Sequence, residues 1–396
     1  LIDFSILLIS LPSISIIGII VLLFQLNRTL KNAPSLIEYS ELDSFENKTT
    51  LTVIVPTFNE EKNIYQCLSS IIESVNPCDD WKVIIADDSS SDQTLTKAKL
   101  ASKKSSIRID FLEAGPRPKN QRWVGKNWPC SQAMEKIDSD WILFLDADIQ
   151  IKKETIFRAL SQANMEGIDL LSLAPRLTCE CLSEWMVQPI MASLISIGFP
   201  IKAANQSKES TAFAAGPFML FRRSAYKAIG GHKDLAGEVV EDLALARKIK
   251  GSGFKLRFLL GLNAVDLHMY PDFDALWEGW SKNWFLGLDR NIPKAISASL
   301  VVFLIFSTPW LTLPSASICL LFITNYNLLL NIILVSLLAI TLQLILRIWI
   351  NKKFDFSLKY WWLMGAGGII ILFLGPISVV RTITGKGWTW KGRSLA

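Results

Sequence analysis

The chain has 396 residues, of which 50% are hydrophobic and 19% charged, with 14 Trp and a mean hydropathy of +0.32. That length exceeds one ordinary core, since single domains mostly stop near ~150 to 250 residues, and the composition excludes a disordered tail or a wholly water-soluble protein. A formal charge of +5 suits an anionic membrane surface or a phosphorylated ligand but makes no case for nucleic acid, so no nucleic-acid partner is expected.

Residues 4–24 carry no charge over 21 positions, which matches the ~20 residues that cross a hydrocarbon layer. Arg28 and Lys31 follow the apolar stretch instead of preceding it, so it reads as an anchor (residues 1–30), not a cleaved leader. The sequence after it is then expected to be cytoplasmic. A polar linker without helical period follows at 32–50.

From 50 to 293 no comparable apolar run occurs. β-rich stretches at 51–56, 81–87, 107–112 and 141–146 alternate with helix-like segments, which predicts a mostly parallel sheet with crossover helices. The first strand ends in Pro56-Thr57-Phe58-Asn59-Glu60-Glu61, where open α/β folds bind ligands, so Thr57, Asn59 and Glu60 are candidates to face a nucleotide. The competing reading makes Asn59 and the glutamates caps of a helix at 64–75. The second strand runs into Asp87-Asp88-Ser89-Ser90-Ser91-Asp92; adjacent acids repel unless donors face them, and a base with ribose hydroxyls is one such donor set. Asp92 also reads as a helix cap.

Four cations follow in ten residues: Arg117, Lys119, Arg122 and Lys126, with Trp123 and Trp128 interleaved. Beside a diphosphate they would neutralise a leaving group, and Lys126 is the preferred candidate. Phe144-Leu145-Asp146-Ala147-Asp148 places carboxylates at i and i+2, which project to one side of an extended segment and offer oxygen ligands to a hard divalent cation. Glu241 and Asp242 open a helix-like stretch that carries Arg247, Lys248 and Lys250 near its end and Gly251 past it. One of these two acids is a candidate general base, although the dipole argument alone explains them.

Residues 182–201 are too short and interrupted for a confident span and read as interfacial. Trp277, Trp280 and Trp284 recur with Phe285 and Leu288 at helical spacing, an aromatic face suited to the headgroup boundary and to a lipid acceptor. Apolar sequence returns at 296–323, 327–350 and 360–380, so residues 294–396 form a membrane region with a basic tail. Three crossings after an inside domain would place Arg381, Lys386, Lys391 and Arg393 outside, against the charge bias, so one segment is expected to be re-entrant or interfacial, with 300–323 the first choice. Six Cys without CxxC spacing and two His disfavour zinc sites and disulfide scaffolds; Cys67, Cys78, Cys130, Cys179, Cys181 and Cys319 read as small buried thiols.

Taken in order, the Thr57–Glu61 loop, the Asp87–Asp92 loop, Asp146-Ala147-Asp148, Val239-Val240-Glu241-Asp242, the aromatic helix and the terminal apolar segments resemble the family-2 glycosyltransferases of GT-A fold over residues 50–290. Gly279-Trp280-Ser281-Lys282-Asn283-Trp284 and Trp390-Lys391-Gly392-Arg393 are most similar to the membrane-anchored, lipid-directed members acting on carotenoids or hopanoid-associated lipids. The resemblance implies a Rossmann-like α/β catalytic domain with an N-terminal and several C-terminal transmembrane helices, and inverting transfer from a nucleotide-sugar, first a UDP-sugar, to a lipid-soluble hydroxyl. It implies that Thr57, Glu60, Asp87 and Asp88 contact the nucleoside, that Asp146 and Asp148 hold Mn or Mg, and that Asp242 is the base. The Gln-X-X-Arg-Trp box of processive synthases is missing, which argues against a polymer product, and Phe58 stands where Tyr is frequent. A polyprenyl-phosphate sugar transferase and a non-catalytic membrane scaffold are the alternatives.

Overall fold

The computed structural model describes residues 2–42, 48–322 and 326–395; the middle of the 32–50 linker and the break at Asn325 lie outside the described residues. The chain divides into two compact units, one comprising residues 32–178 and 199–269 and the other residues 1–31, 179–198 and 270–396. Residues 179–198 and 270–293, expected within the 50–293 catalytic span, therefore group with the apolar helices.

The first unit is an α/β domain. Its strands are β1 (Thr50–Thr57), β2 (Asp80–Asp87), β3 (Arg108–Glu113), β4 (Trp141–Leu145), β5 (Ile149–Ile151), β6 (Leu170–Ala174), β7 (Arg176–Leu177), β8 (Phe218–Arg222), β9 (Leu256–Leu260) and β10 (Val265–Leu267). Seven of them form a sheet in the order β3-β2-β1-β4-β8-β6-β9, parallel except at β8, which runs antiparallel to both neighbours. From β1 the chain goes one way to β2 and β3 and then returns to β4 on the other side. That reversal opens a crevice at the carboxyl ends of β1 and β4, where sheets of this kind place ligands. A small sheet, β5-β10-β7, begins just beyond Asp148.

The strands are apolar at nearly every position because both faces of the sheet are covered. Alternate residues serve alternate cores: Val53, Val55, Val83, Ile85, Leu143 and Leu145 pack with the helices Ile64–Ile72, Thr94–Ser102 and Thr155–Glu166. Ile54, Ile84, Ala86, Ile142 and Phe144 face the helices Asn127–Met134, Arg223–Ala228 and Glu241–Gly251. Gly251 is thus the last residue of its helix and not the one past it. Phe144 meets Phe221, Tyr226 and His232 at centroid distances of 6.0, 5.4 and 4.7 Å, so the residue two before Asp146 is wedged on three sides.

In the second unit, Leu8–Leu30, Tyr326–Phe354 and Trp361–Thr384 are long and apolar enough to cross a membrane. Ile292–Phe306 and Thr308–Cys319 form a pair bent by 47°. Pro309 explains the break, because its ring displaces the Ile305 carbonyl four residues back. Side chains satisfy the carbonyls at the break: Gln343 Nε2 donates to Ile305 O at 3.1 Å and to Phe306 O at 3.0 Å, while Trp310 Nε1 donates to Gln343 Oε1 at 2.8 Å. The 182–201 stretch is the helix Leu182–Gly198, and it packs closely within this unit. A Cβ on Gly367 would lie 1.9 Å from the Met186 carbonyl oxygen. Cys67, Cys78 and Cys130 are buried as expected, whereas Cys179, Cys181 and Cys319 are half-buried; all six are free thiols.

Phe144→Ala should destabilise the α/β unit by ~3 to 5 kcal/mol, read as a lower first transition in thermal unfolding of the full chain in detergent. Gly367→Ala should lower the melting temperature of the helical unit, since no rotamer moves a backbone oxygen aside. Gly198→Ala, with nothing within 4 Å of the added carbon, should leave it unchanged.

Candidate active site

The β1 and β2 loops are joined before any ligand arrives. Asn59 and Ser89 both adopt positive φ, 52° and 61°, a strained choice for non-glycine residues that local hydrogen bonds support. The Asn59 amide donates to Ser90 Oγ at 3.0 Å, and the Ser91 amide donates to Asn59 Oδ1 at 2.9 Å. Asn59 therefore ties two loops together and caps no helix. Glu60 sits half-buried with its amide on Thr94 Oγ1 at 2.7 Å and its carboxylate accepting from Asn63 Nδ2 at 3.0 Å. Asp92 accepts from the Thr94 amide at 3.0 Å, but the N-cap position of that helix is Gln93, one residue later than expected.

The adjacent acids at the end of β2 are reconciled by the protein itself. Asp87 accepts from Thr57 Oγ1 at 2.9 Å, from Ser90 Oγ at 2.6 Å and from the Ser90 amide at 2.9 Å. Asp88 forms an ion pair with Arg117, whose guanidinium also donates to Trp123 O at 2.8 Å and Gly125 O at 2.9 Å. Both acids are nearly fully buried. Arg117 thus holds the 123–125 turn onto the β2 loop, a role that its place in a run of cations did not disclose. Trp123 and Trp128 are buried against each other, while Lys119 and Arg122 face solvent.

Lys126 does what its neighbours do not. Its ammonium ion-pairs with Asp146 and, at 3.2 Å, with Glu241. Burial alone would lower the Lys126 pKa, but the Asp146 and Glu241 carboxylates hold it well above the ordinary value, so it remains charged. Asp242, the next residue, accepts from the Gly216 amide at 3.0 Å and from the Leu243 amide at 2.7 Å. Its pKa is pushed up to about 6, first by burial and then by the negative charge of Glu241, against the opposing pull of Lys126. Gly216 permits this approach: a Cβ there would meet Asp242 Oδ2 at 3.0 Å and Lys126 Nζ at 3.4 Å. Among the described residues, then, the structure brings Lys126, Asp146, Glu241 and Asp242 into one cluster, and groups Thr57 with Asp87 in another.

Asp148 follows Asp146 on the way into β5. Its carbonyl accepts from the His268 amide at 3.2 Å, which continues the antiparallel β5–β10 register and sets the two side chains opposite one another on the small sheet. Sequence reasoning passed over His268; the signal available was that it is one of two histidines. The other, His232, is buried behind β4 with its Nδ1 2.6 Å from Tyr226 Oη, and burial drives its pKa down to about 3. It is a neutral core residue. Asp146 and Asp148 carry carboxylate oxygens of the kind a hard divalent cation takes. No group of three or more His, Cys, Asp and Glu side chains converges as a finished metal cage among the described residues, so an ion here would take its other ligands from a diphosphate.

Trp280 and Trp284 lie on the helix Phe273–Gly287 and are buried, with their indole N–H groups on Gln188 Oε1 at 3.1 Å and Ala295 O at 3.0 Å. Trp277 is half-buried and stacks on the exposed Phe273. The tail meets the same helix: Glu278 accepts from Thr389 Oγ1 and, at 3.1 Å, from the Lys391 amide.

Comparison with known proteins agrees with this architecture. Residues 52–230 match the model of glycosyl transferase family 2. The chain is 28% identical over 255 residues to 4,4'-diaponeurosporenoate glycosyltransferase of Staphylococcus aureus strain USA300, covering 64% of this chain and 65% of that protein. The same enzyme of strain bovine RF122 / ET3-1 is 29% identical over 261 residues, covering 65% and 66%. The matched part thus spans just under two thirds of these relatives. The solved structure of mannosyltransferase PcManGT from Pyrobaculum calidifontis, in complex with GDP-Man and Mn2+, superposes with a TM-score of 0.54 at 18% identity, covering 96% of this chain and 99% of that one. Sheet order and this superposition lead to one conclusion: the chain has a GT-A fold, and its residues 52–230 are similar to glycosyl transferase family 2.

Proposed function

We propose that the protein is an inverting glycosyltransferase that moves a hexosyl group from a nucleotide-sugar to a hydroxyl of a lipid-soluble acceptor of carotenoid or hopanoid type. The observation that carries this reading is the Lys126 ammonium between Asp146 and Glu241 with Asp242 beside them. Asp242 is held by two amides that leave a lone pair on each oxygen, and a pKa of about 6 makes it a base that is ionised at neutral pH yet accepts a proton readily. In the proposed step it takes the acceptor proton as the oxygen attacks the anomeric carbon and the bond to the diphosphate breaks. Lys126 stays cationic and offsets charge on the leaving phosphates. Asp146 and Asp148 would hold a Mn or Mg ion, which when bound neutralises charge on the diphosphate. Thr57, Glu60, Asp87 and Asp88 form or support the nucleoside end. The relatives' acceptor, a diaponeurosporenoate, and three helices apolar enough to cross a membrane favour a lipid acceptor over a sugar in water. The donor base stays open between uridine and guanosine, since the superposed mannosyltransferase holds GDP-Man.

The same reading makes the chain a multi-pass membrane protein with its transferase domain cytoplasmic, as Arg28 and Lys31 after the first span require. The bonds from Thr389 and Lys391 to Glu278 favour a basic tail on the same side as the aromatic helix. That arrangement would need an even number of complete crossings between Gly287 and Thr389, with one apolar stretch turning back or lying in the interface.

The test uses full chain in detergent with labelled UDP- and GDP-hexoses, Mn or Mg, and a lipid extract. Organic-phase label should appear, and Asp242→Asn should reduce it by ~10²-fold or more while donor binding persists. Unchanged turnover in that variant sinks the base assignment, and an acid-labile product points to a phosphate acceptor. With Asp242 as base, the rate should climb as pH rises through about 6 and fall on acidification, because the proton-accepting form is lost below that value.

A further inference from the structure

Arg347 lies in the apolar helix Tyr326–Phe354 and is fully buried. Its guanidinium stands 5.9 Å from the ring centroid of Trp185 and 5.4 Å from that of Phe356, and Nη2 donates to Ser357 O at 2.7 Å. Nε and Nη1 are buried with no hydrogen-bond partner among the described residues, and no Asp or Glu pairs with the group there. Two aromatic faces offset part of the desolvation of a buried cation, but they accept no N–H hydrogen bond in the plane of the guanidinium. Ionisable groups inside a membrane unit are costly to keep unless they act on something. The unpartnered Nε–H and Nη1–H point to different sides of the guanidinium, so each calls for its own acceptor, and an oxyanion supplies an acceptor together with the missing countercharge.

The surroundings narrow the ligand. Lys352, Lys353 and Lys359 are exposed within a dozen residues of Arg347, a basic rim of the kind that draws anionic heads to a membrane surface. Ile345, Ile348, Leu358 and Trp362 are exposed apolar residues on the same segments, suited to a hydrocarbon tail and not to a free ion in water. We propose that Arg347 binds the oxyanion head, carboxylate or phosphate, of an amphiphile whose tail lies along the apolar helices. The site belongs to the helical unit and stands whether or not the sugar-transfer reading holds.

The experiment uses delipidated full chain in a neutral maltoside detergent, with thermal unfolding and native mass spectrometry as readouts. Four probes are compared: oleate, oleyl alcohol, dioleoyl phosphatidylglycerol and dioleoyl phosphatidylcholine. Oleate or phosphatidylglycerol should be retained and raise the melting temperature saturably, while the two probes without net charge should not. Stabilisation by oleate alone identifies a single-chain carboxylate amphiphile, and stabilisation by phosphatidylglycerol identifies a bilayer lipid. Arg347→Met should abolish the anion-dependent shift without lowering the resting melting temperature, because it removes a buried charge that lacks a counterion. Arg347→Lys should keep the charge but bind roughly tenfold more weakly, because an ammonium cannot reproduce the fixed directions of the guanidinium N–H donors. Replacing Lys352, Lys353 and Lys359 with Gln should leave saturable binding in place. Equal responses to oleate and oleyl alcohol in the native chain, or a shift that survives Arg347→Met, overturns the proposal. If the Met variant does not fold, the head-group comparison on the native chain and the Lys variant still decide it.

Discussion

The arrangement of the α/β unit turns on one ammonium group. Lys126 comes from the turn before the helix Asn127–Met134, Asp146 from the end of β4, and Glu241 from the start of the helix Glu241–Gly251, so three distant stretches meet at a single cation. Counting Asp242, three carboxyl groups face one positive charge. Such a cluster is stable only if a carboxyl keeps its proton more readily than usual or further positive charge enters. Asp242, its pKa pushed up to about 6, does the first. A cation held by Asp146 and Asp148, as proposed, would do the second. Electrostatic frustration at this point is the same property that would make the pocket receptive to a cation and a diphosphate together.

What surrounds the cluster serves to keep it in place. Phe144, packed against Phe221, Tyr226 and a neutral His232, fixes the strand that delivers Asp146. Gly216, whose amide binds Asp242, leads through Pro217 into antiparallel β8, and the Pro217 carbonyl accepts from the Asp146 amide at 3.1 Å. The strand that interrupts the parallel sheet is therefore the one that registers the two acidic motifs against each other.

Much of this was legible in the residues. The four leading strands, the carboxyl-end loops and the acidic motifs followed from apolar runs that stop at polar clusters, because a strand covered on both faces must read as continuous hydrophobic sequence. Lys126 stood out from a run of cations, although nothing in the run distinguished the inward Lys126 from the exposed Lys119. Arg117 as the partner of Asp88 was not readable, since pairing depends on a turn at 115–125 that places them together across 29 positions. β8 was missed because Phe218–Arg222 looks like a short buried helix as much as a strand. His268 was missed because its alignment with Asp148 arises from a three-residue pairing between segments more than a hundred positions apart. Trp280 and Trp284 matched the expected helix, yet their partners, Gln188 and the Ala295 carbonyl, turned them into the unit's interior.

The stitching of the Asn59 and Ser89 loops has a consequence for recognition. Loops that close only around their guest give up configurational freedom at that moment, and the loss is subtracted from affinity. Here two unfavourable backbone conformations are already locked by Ser90 and Ser91, so that loss is met during folding instead. A nucleotide bound at this rim, as proposed, would meet a mould already set, and discrimination among bases would rest on shape fit more than on rearrangement.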